Sequence, residues 1–149
     1  MTILTNVLLA AHTVSAAMWV RAVFMGAFID PPALRSAGSP RFLANFIVAQ
    51  GVGVFVWVYL AMVTIFVTGV LLVWLHPPQS TFQVTVLVLK GVALAVMAGN
   101  TIYGSLMTWP KIQFASAEEA PILWRPYLIR AYITFGCGVL GIILGVWVR

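Results

Sequence analysis

The chain has 149 residues, 62% of them hydrophobic and only 7% charged, and its mean hydropathy is +1.06. Soluble domains carry roughly 25% charged residues, so a soluble enzyme is excluded and one integral membrane domain is expected over residues 1–149. The net charge of +5 comes from basic residues that form no run and no periodic face, which excludes a nucleic-acid surface, and the single Cys137 excludes an internal disulfide or a paired-cysteine centre.

Four apolar segments follow in chain order, each at or above the roughly 20 residues needed to span a bilayer. They predict an all-α bundle of four transmembrane helices. The first runs from about Leu4 to Ile29 and meets Asp30-Pro31-Pro32. It has no basic leader and reads as a retained helix rather than a signal peptide. The second runs from about Phe42 to Leu75 and meets His76-Pro77-Pro78. It is too long for one straight span, and Asn45, Gln50, Gly51 and Gly53 suggest an interfacial start, a tilt or a kink. The third runs from about Phe82 to Thr108 and meets Trp109-Pro110; the fourth runs from about Tyr127 to Val148. Proline removes a backbone donor and crowds the preceding turn, so these prolines are expected to end the helices.

Loop charges set an orientation. Arg35 and Arg41 lie in the first loop, and Lys111, Arg125 and Arg130 lie in or beside the third, with Glu118 and Glu119. The opposite side carries only His76 and Arg149. Basic loops stay cytoplasmic, so both termini are expected to be extracytoplasmic. Trp74 and Trp147 would then mark the outer interface, and Trp109 and Trp124 the inner one.

Two ionisable residues lie deep in apolar helices. His12 is roughly 12 Å in from the outer end of the first helix, and Lys90 about as far in from the outer end of the third. Such groups are costly in lipid and usually mark function. His12 shares a helical stripe with Ser15, Trp19, Ala22 and Gly26, and Lys90 shares one with Leu94, Met97, Thr101 and Gly104. His12 is either a haem or metal ligand, a proton relay, or a histidine bonded to a neighbouring helix. Lys90 is either a cationic partner for an anionic ligand such as a haem propionate, a proton-transfer group, or a snorkelling side chain. Arg21 falls on the face opposite His12 and is expected to snorkel or to pair with Asp30. Asn100 reads as interhelical glue. The methionines lack any pairing with a histidine on one stripe and read as packing rather than a copper path. Gly141 and Gly145, four apart, read as a close helix contact.

The stretches Ala11-His12-Thr13-Val14-Ser15-Ala16-Ala17-Met18-Trp19 and Val88-Leu89-Lys90-Gly91-Val92-Ala93-Leu94 resemble a group of small four-helix bacterial membrane proteins. That group includes the oxygen-independent protoporphyrinogen oxidase of the haem pathway and the membrane domain of copper-resistance protein D. The resemblance implies a bacterial cytoplasmic membrane, haem b held in part by His12, and a functional Lys90 that assists catalysis or contacts the cofactor. Further histidines of the family have no counterpart: Phe28-Ile29-Asp30 and Gly99-Asn100-Thr101 stand in their places, and Arg130-Ala131 replaces a polar pair. A divergent haem-associated redox protein is therefore one expectation. A non-catalytic small subunit, in a homo-oligomer or a larger respiratory or photosynthetic complex, is another, and copper or proton permeation is a third. The bilayer is the one partner common to all three.

The orientation is open to a direct test. A periplasmically active reporter fused after Arg149 should be active and a cytoplasmically active one silent; the reverse pattern would invert the topology.

Overall fold

The computed structural model describes residues 2–32, 40–116 and 118–147. Four helices are long and apolar enough to cross a membrane: Ile3–Pro32, Gly53–Leu75, Thr81–Ile112 and Ile122–Val146. The chain is an all-α, multi-pass membrane protein built as a four-helix bundle. Arg35 and Arg149 lie outside the described residues, as do the side chains of Arg41, Gln50 and Trp147.

Local chemistry explains most helix ends. α1 (Ile3–Phe24) starts at Thr2, whose hydroxyl accepts from the Thr5 N–H. α2 (Pro40–Leu75) runs unbroken through Gly51 and Gly53; its 36 residues extend over roughly 54 Å, well beyond the hydrocarbon core. α3 (Thr81–Tyr103) starts at Ser80, whose hydroxyl accepts from the Gln83 N–H. A short α4 (Trp109–Gln113) follows, then α5 (Ala120–Trp147). α5 begins ahead of the expected Tyr127, because the turn before it is held by a reciprocal pair. Ser116 donates its N–H and hydroxyl to the Glu119 carboxylate, and the Glu119 N–H donates back to the Ser116 hydroxyl oxygen. Those two bonds hold the Glu119 carboxyl below its usual range. Pro126 is then carried inside the helix.

Contrary to the expectation from the sequence, Pro31 and Pro110 do not stop their helices. The first span stays helical to Pro32, and the third continues through Pro110 to Gln113. A π-helical turn precedes each proline, at Met25–Ile29 and at Gly104–Thr108. In these turns the Asp30 N–H reaches back to the Met25 carbonyl, and the Trp109 N–H to the Gly104 carbonyl. Each is a five-residue step. The wider turn makes room for a ring that would otherwise press on the carbonyl four residues back. For Pro31 that carbonyl belongs to Ala27, and the Tyr132 hydroxyl on α5 donates to it at 3.2 Å. The other π turn is fastened from two sides. Tyr59 on α2 bonds the Ser105 hydroxyl at 2.6 Å, and the Arg130 guanidinium on α5 donates to the Thr108 hydroxyl.

Packing sets the order of the bundle. α1 lies on α2 and on α5, and α3 lies on α5. α4 closes the ring by bringing Trp109 against Phe55 of α2, with ring centroids 5.3 Å apart. Gly138 lets α5 approach both neighbours: a Cβ there would meet Val20 at 2.6 Å and Met97 at 3.2 Å. Trp109 is buried against Phe55, Tyr127 and the backbone of Gly51, so it is a packing residue and not part of an aromatic belt. Trp74 is 77% exposed and suits the belt. The core proper is Trp19 with Val58, Ala61, Ile65 and Met97.

Removing the Tyr132 hydroxyl should leave the Ala27 carbonyl unsatisfied. Tyr132→Phe should therefore destabilise the bundle by about 1–3 kcal/mol, read by thermal or SDS unfolding in detergent. A wild-type unfolding curve would show that this bond does not hold the turn.

Candidate functional site

The structure arranges the buried polar side chains in two layers with the Trp19 core between them. The layer nearer the His76 loop holds His12 and Lys90. Both are half-buried. The His12 Nδ1 lies 2.9 Å from the Thr68 hydroxyl on α2. That hydroxyl donates its one proton to the Thr64 carbonyl at 2.6 Å, so toward His12 it can only accept. The bond therefore assigns the proton of neutral His12 to Nδ1 and leaves the Nε2 lone pair available. Gly69, one residue on, lets the ring sit close: a Cβ there would meet His12 Cε1 at 3.4 Å.

Lys90 stands on α3 with its Nζ over Gly145 of α5, where a Cβ would be 3.6 Å away. It has no hydrogen-bond or ion-pair partner among the described residues. Its ammonium is close enough to His12 for its charge to act on the imidazole, yet the two do not bond. They belong to α1 and α3, which face each other across the bundle instead of packing side by side. The depth match expected from the sequence thus brings them into one layer, each docked on a glycine of a different neighbouring helix. Gly145 works inside the bundle, whereas Gly141 has nothing over it.

His76 does not reach this layer. Its Nε2 bonds the Thr5 hydroxyl at 3.2 Å and ties the loop to the start of α1. Among the described residues no three His, Cys, Asp or Glu side chains gather as a metal cluster. Met97 is a buried packing residue against Trp19.

The second layer lies toward Asp30 and was hardly legible in the sequence. A chamber of about 70 Å³ opens between all four spans, with Asn100, Thr101, Thr134, Tyr127 and Arg130 on its wall. This is room for a few water molecules. Arg130, read from the sequence as a loop-border charge, is turned inward. Its guanidinium lies 4.8 Å from the Tyr103 ring centroid and bonds Thr108. Asp30, read as a helix stop, is 6% exposed and acts electrostatically on Tyr127. It does not pair with Arg21, which is exposed. A polar residue on an inward stripe was the available signal. Thr101 and Gly104 lie on the Lys90 stripe, and Ala22 and Gly26 on the His12 stripe; all four line the chamber.

No family model, no curated protein and no solved structure matches the chain.

The His12 tautomer can be read by ¹⁵N magnetic resonance. Near neutral pH the Nδ1–H form should dominate, and Thr68→Val should give a mixture of both tautomers. A dominant Nε2–H form in the parent protein would overturn the assignment.

Proposed function

We propose that this chain is a haem-associated redox protein of a bacterial cytoplasmic membrane, with His12 as the iron ligand and Lys90 as the cation facing a propionate. The observation that carries this reading is the oriented imidazole. A histidine that ligates iron donates its other N–H to an oxygen, which fixes ring and tautomer. His12 has that arrangement with Thr68 at 2.9 Å. Lys90 adds an ammonium without a bonded partner in the same layer, and an unpaired charge at this depth calls for an anion.

His12 and Lys90 supply a donor and a cation for a haem held from one side, although neither cavity described is lined by them. Nε2 would be the donor to the iron, with Thr68 orienting the ring, and Lys90 would offset negative charge on the bound group. A second histidine from the protein does not fit, since His76 is tied to Thr5. When bound, haem would supply one-electron chemistry. The chain's part is to hold the iron through His12, to neutralise a carboxylate at Lys90, and to seal the layer below with Trp19, which is fully buried. The likeness of the His12 and Lys90 stretches to the protoporphyrinogen oxidase group supports an oxidoreductase role. The loop charges favour placement of both termini on the extracytoplasmic side.

Detergent-purified protein expressed with ample haem should show a Soret band that sharpens and shifts on reduction. His12→Ala should abolish it. Lys90→Met should retain most of the haem but shift its midpoint potential. A colourless parent protein would refute the haem reading. The accessory-subunit reading would then lead, and co-purification with a larger membrane complex would be its measurement.

A further inference from the structure

A cavity of about 600 Å³ opens sideways between α1 and α2, in the half of the bundle nearer Asp30. That is the size of an ordinary small-molecule site. Its rim is exposed: Met18, Arg21 and Met25 on α1 and Trp57 on α2 face outward. Its floor is closed by Trp19, Val58 and Trp109, all buried. A molecule dissolved in the bilayer can therefore enter from the side. The cleft runs along α1 from Met18 to Gly26 and along α2 from Ala49 to Val58, roughly 12–14 Å of helix. It stays within one leaflet of a core about 30 Å thick.

The Thr5–His76 bond sets the register of α1 against α2. Counted from that bond, Arg21 lies roughly 24 Å along α1 and Phe55 roughly 32 Å along α2. Phe55 is thus on the headgroup side of Arg21, and the long Arg21 side chain extends toward the headgroups and so toward the level of Phe55. Six of the sixteen cleft residues are aromatic, against 13% of the chain. Trp109 meets Phe55 edge-on at 5.3 Å, Tyr127 lies 6.1 Å from Trp109, and Trp124 stacks on Tyr127 at 4.9 Å. Such a wall suits a flat π ring better than a saturated chain. Arg21 has no hydrogen-bond or ion-pair partner among the described residues, and the Tyr127 hydroxyl has no hydrogen-bond partner among them. Tyr127 stands where the cleft adjoins the polar chamber, since it lines both. No carboxylate or amide side chain lines the cleft among the described residues, so it calls for a ligand that accepts hydrogen bonds.

We propose that the cleft between α1 and α2 binds one membrane-soluble quinone, its ring against the Phe55–Trp109–Tyr127 wall and its carbonyl oxygens accepting from Arg21 and Tyr127. A para-quinone is flat, uncharged and soluble in the bilayer, and it presents acceptors at opposite ends of one ring. Its apolar tail leaves through the open rim into the lipid. An acyl chain suits the rim equally well but offers neither donor an acceptor. This site uses none of the residues assigned to haem, so the two readings stand or fall separately.

The test titrates the full chain in dodecylmaltoside micelles with decylubiquinone and reads the quenching of tryptophan fluorescence. Four of the six tryptophans line the cleft, so quenching should be deep and should saturate at one quinone per chain. Quinone merely dissolved in the micelle quenches without saturation. Arg21→Gln and Tyr127→Phe should each raise the half-saturation concentration about tenfold, as the loss of one hydrogen bond implies. Lys111→Gln, a cation on the same side that does not line the cleft, should leave it unchanged. Gly53→Leu places a side chain where a Cβ meets nothing within 4 Å; it should fill the cleft and abolish saturable quenching. Phenyldecane carries the same tail on a ring without carbonyls and should compete about a hundredfold less well. Gel filtration and helical circular dichroism establish that each variant is folded. Quenching that never saturates in the parent overturns the proposal, as does equal competition by phenyldecane. So does a half-saturation unmoved by Arg21→Gln or Tyr127→Phe, or raised equally by Lys111→Gln, and so does undiminished saturable quenching in Gly53→Leu.

Discussion

A carbonyl released inside a membrane must find another donor within the protein, because lipid offers none. Pro31 creates that demand at Ala27, and the Tyr132 hydroxyl meets it from α5. Much of the architecture follows from this bond. It fastens the end of the first span to the fourth, and it lets the helix run on through a proline. It also holds open the π turn whose Gly26 borders the polar chamber. Phe24 and Phe28 on one side and Tyr132 and Phe135 on the other pack their rings around it, at centroid distances of 5.0 to 5.7 Å.

The two halves of the chain repeat one design. In each, a first helix carries an ionisable group, ends in a π turn and then meets proline: His12, Met25–Ile29 and Pro31 in one half, Lys90, Gly104–Thr108 and Pro110 in the other. In each, the ionisable group rests on a glycine of the following long helix, Gly69 for His12 and Gly145 for Lys90. Each long second helix then sends a tyrosine to the π turn of the opposite half. Tyr132 reaches Ala27, and Tyr59 reaches Ser105. His12 and Lys90 thus occupy equivalent places, which explains their matched depth better than helix lengths alone. The equivalence is imperfect at the ring contacts. α1 packs along α5, whereas α2 meets the third span mainly through Tyr59, Met97 and α4.

Span number, helix class and the inward stripes were legible because they depend on hydropathy and on the helical period. Trp19, Met97 and Gly104 are buried where that period put them. The helix ends were less legible. Proline is a sound stop signal for an α turn, but nothing in Met25–Ile29 or Gly104–Thr108 announces a π turn, which depends on donors from other helices. Arg130 and Asp30 were misplaced for a related reason. Their charge and position next to loops suggested the interface, while Thr108, Tyr103 and Tyr127 give them an interior environment that only the folded bundle creates. The Thr68 contact was equally hidden. A threonine in an apolar run ordinarily bonds its own helix, and Thr68 does so through Thr64; the accepting lone pair left for His12 is a matter of packing.

The Trp19 layer bears on which chemistry the polar residues serve. The His12–Lys90 layer and the Asn100–Arg130 chamber lie on opposite sides of it. Trp19 is fully buried, with Val58, Ala61, Ile65 and Met97 packed around it. A path for ions or copper would need polar groups through this layer, and among the described residues it is apolar apart from an indole N–H that has no partner. Taking a charge through such a layer opposes permeation strongly. A bound group on one side meets no such obstacle, since its charge and its protons stay in the layer that holds it. The seal therefore favours ligand chemistry at His12 and Lys90 over passage through the bundle.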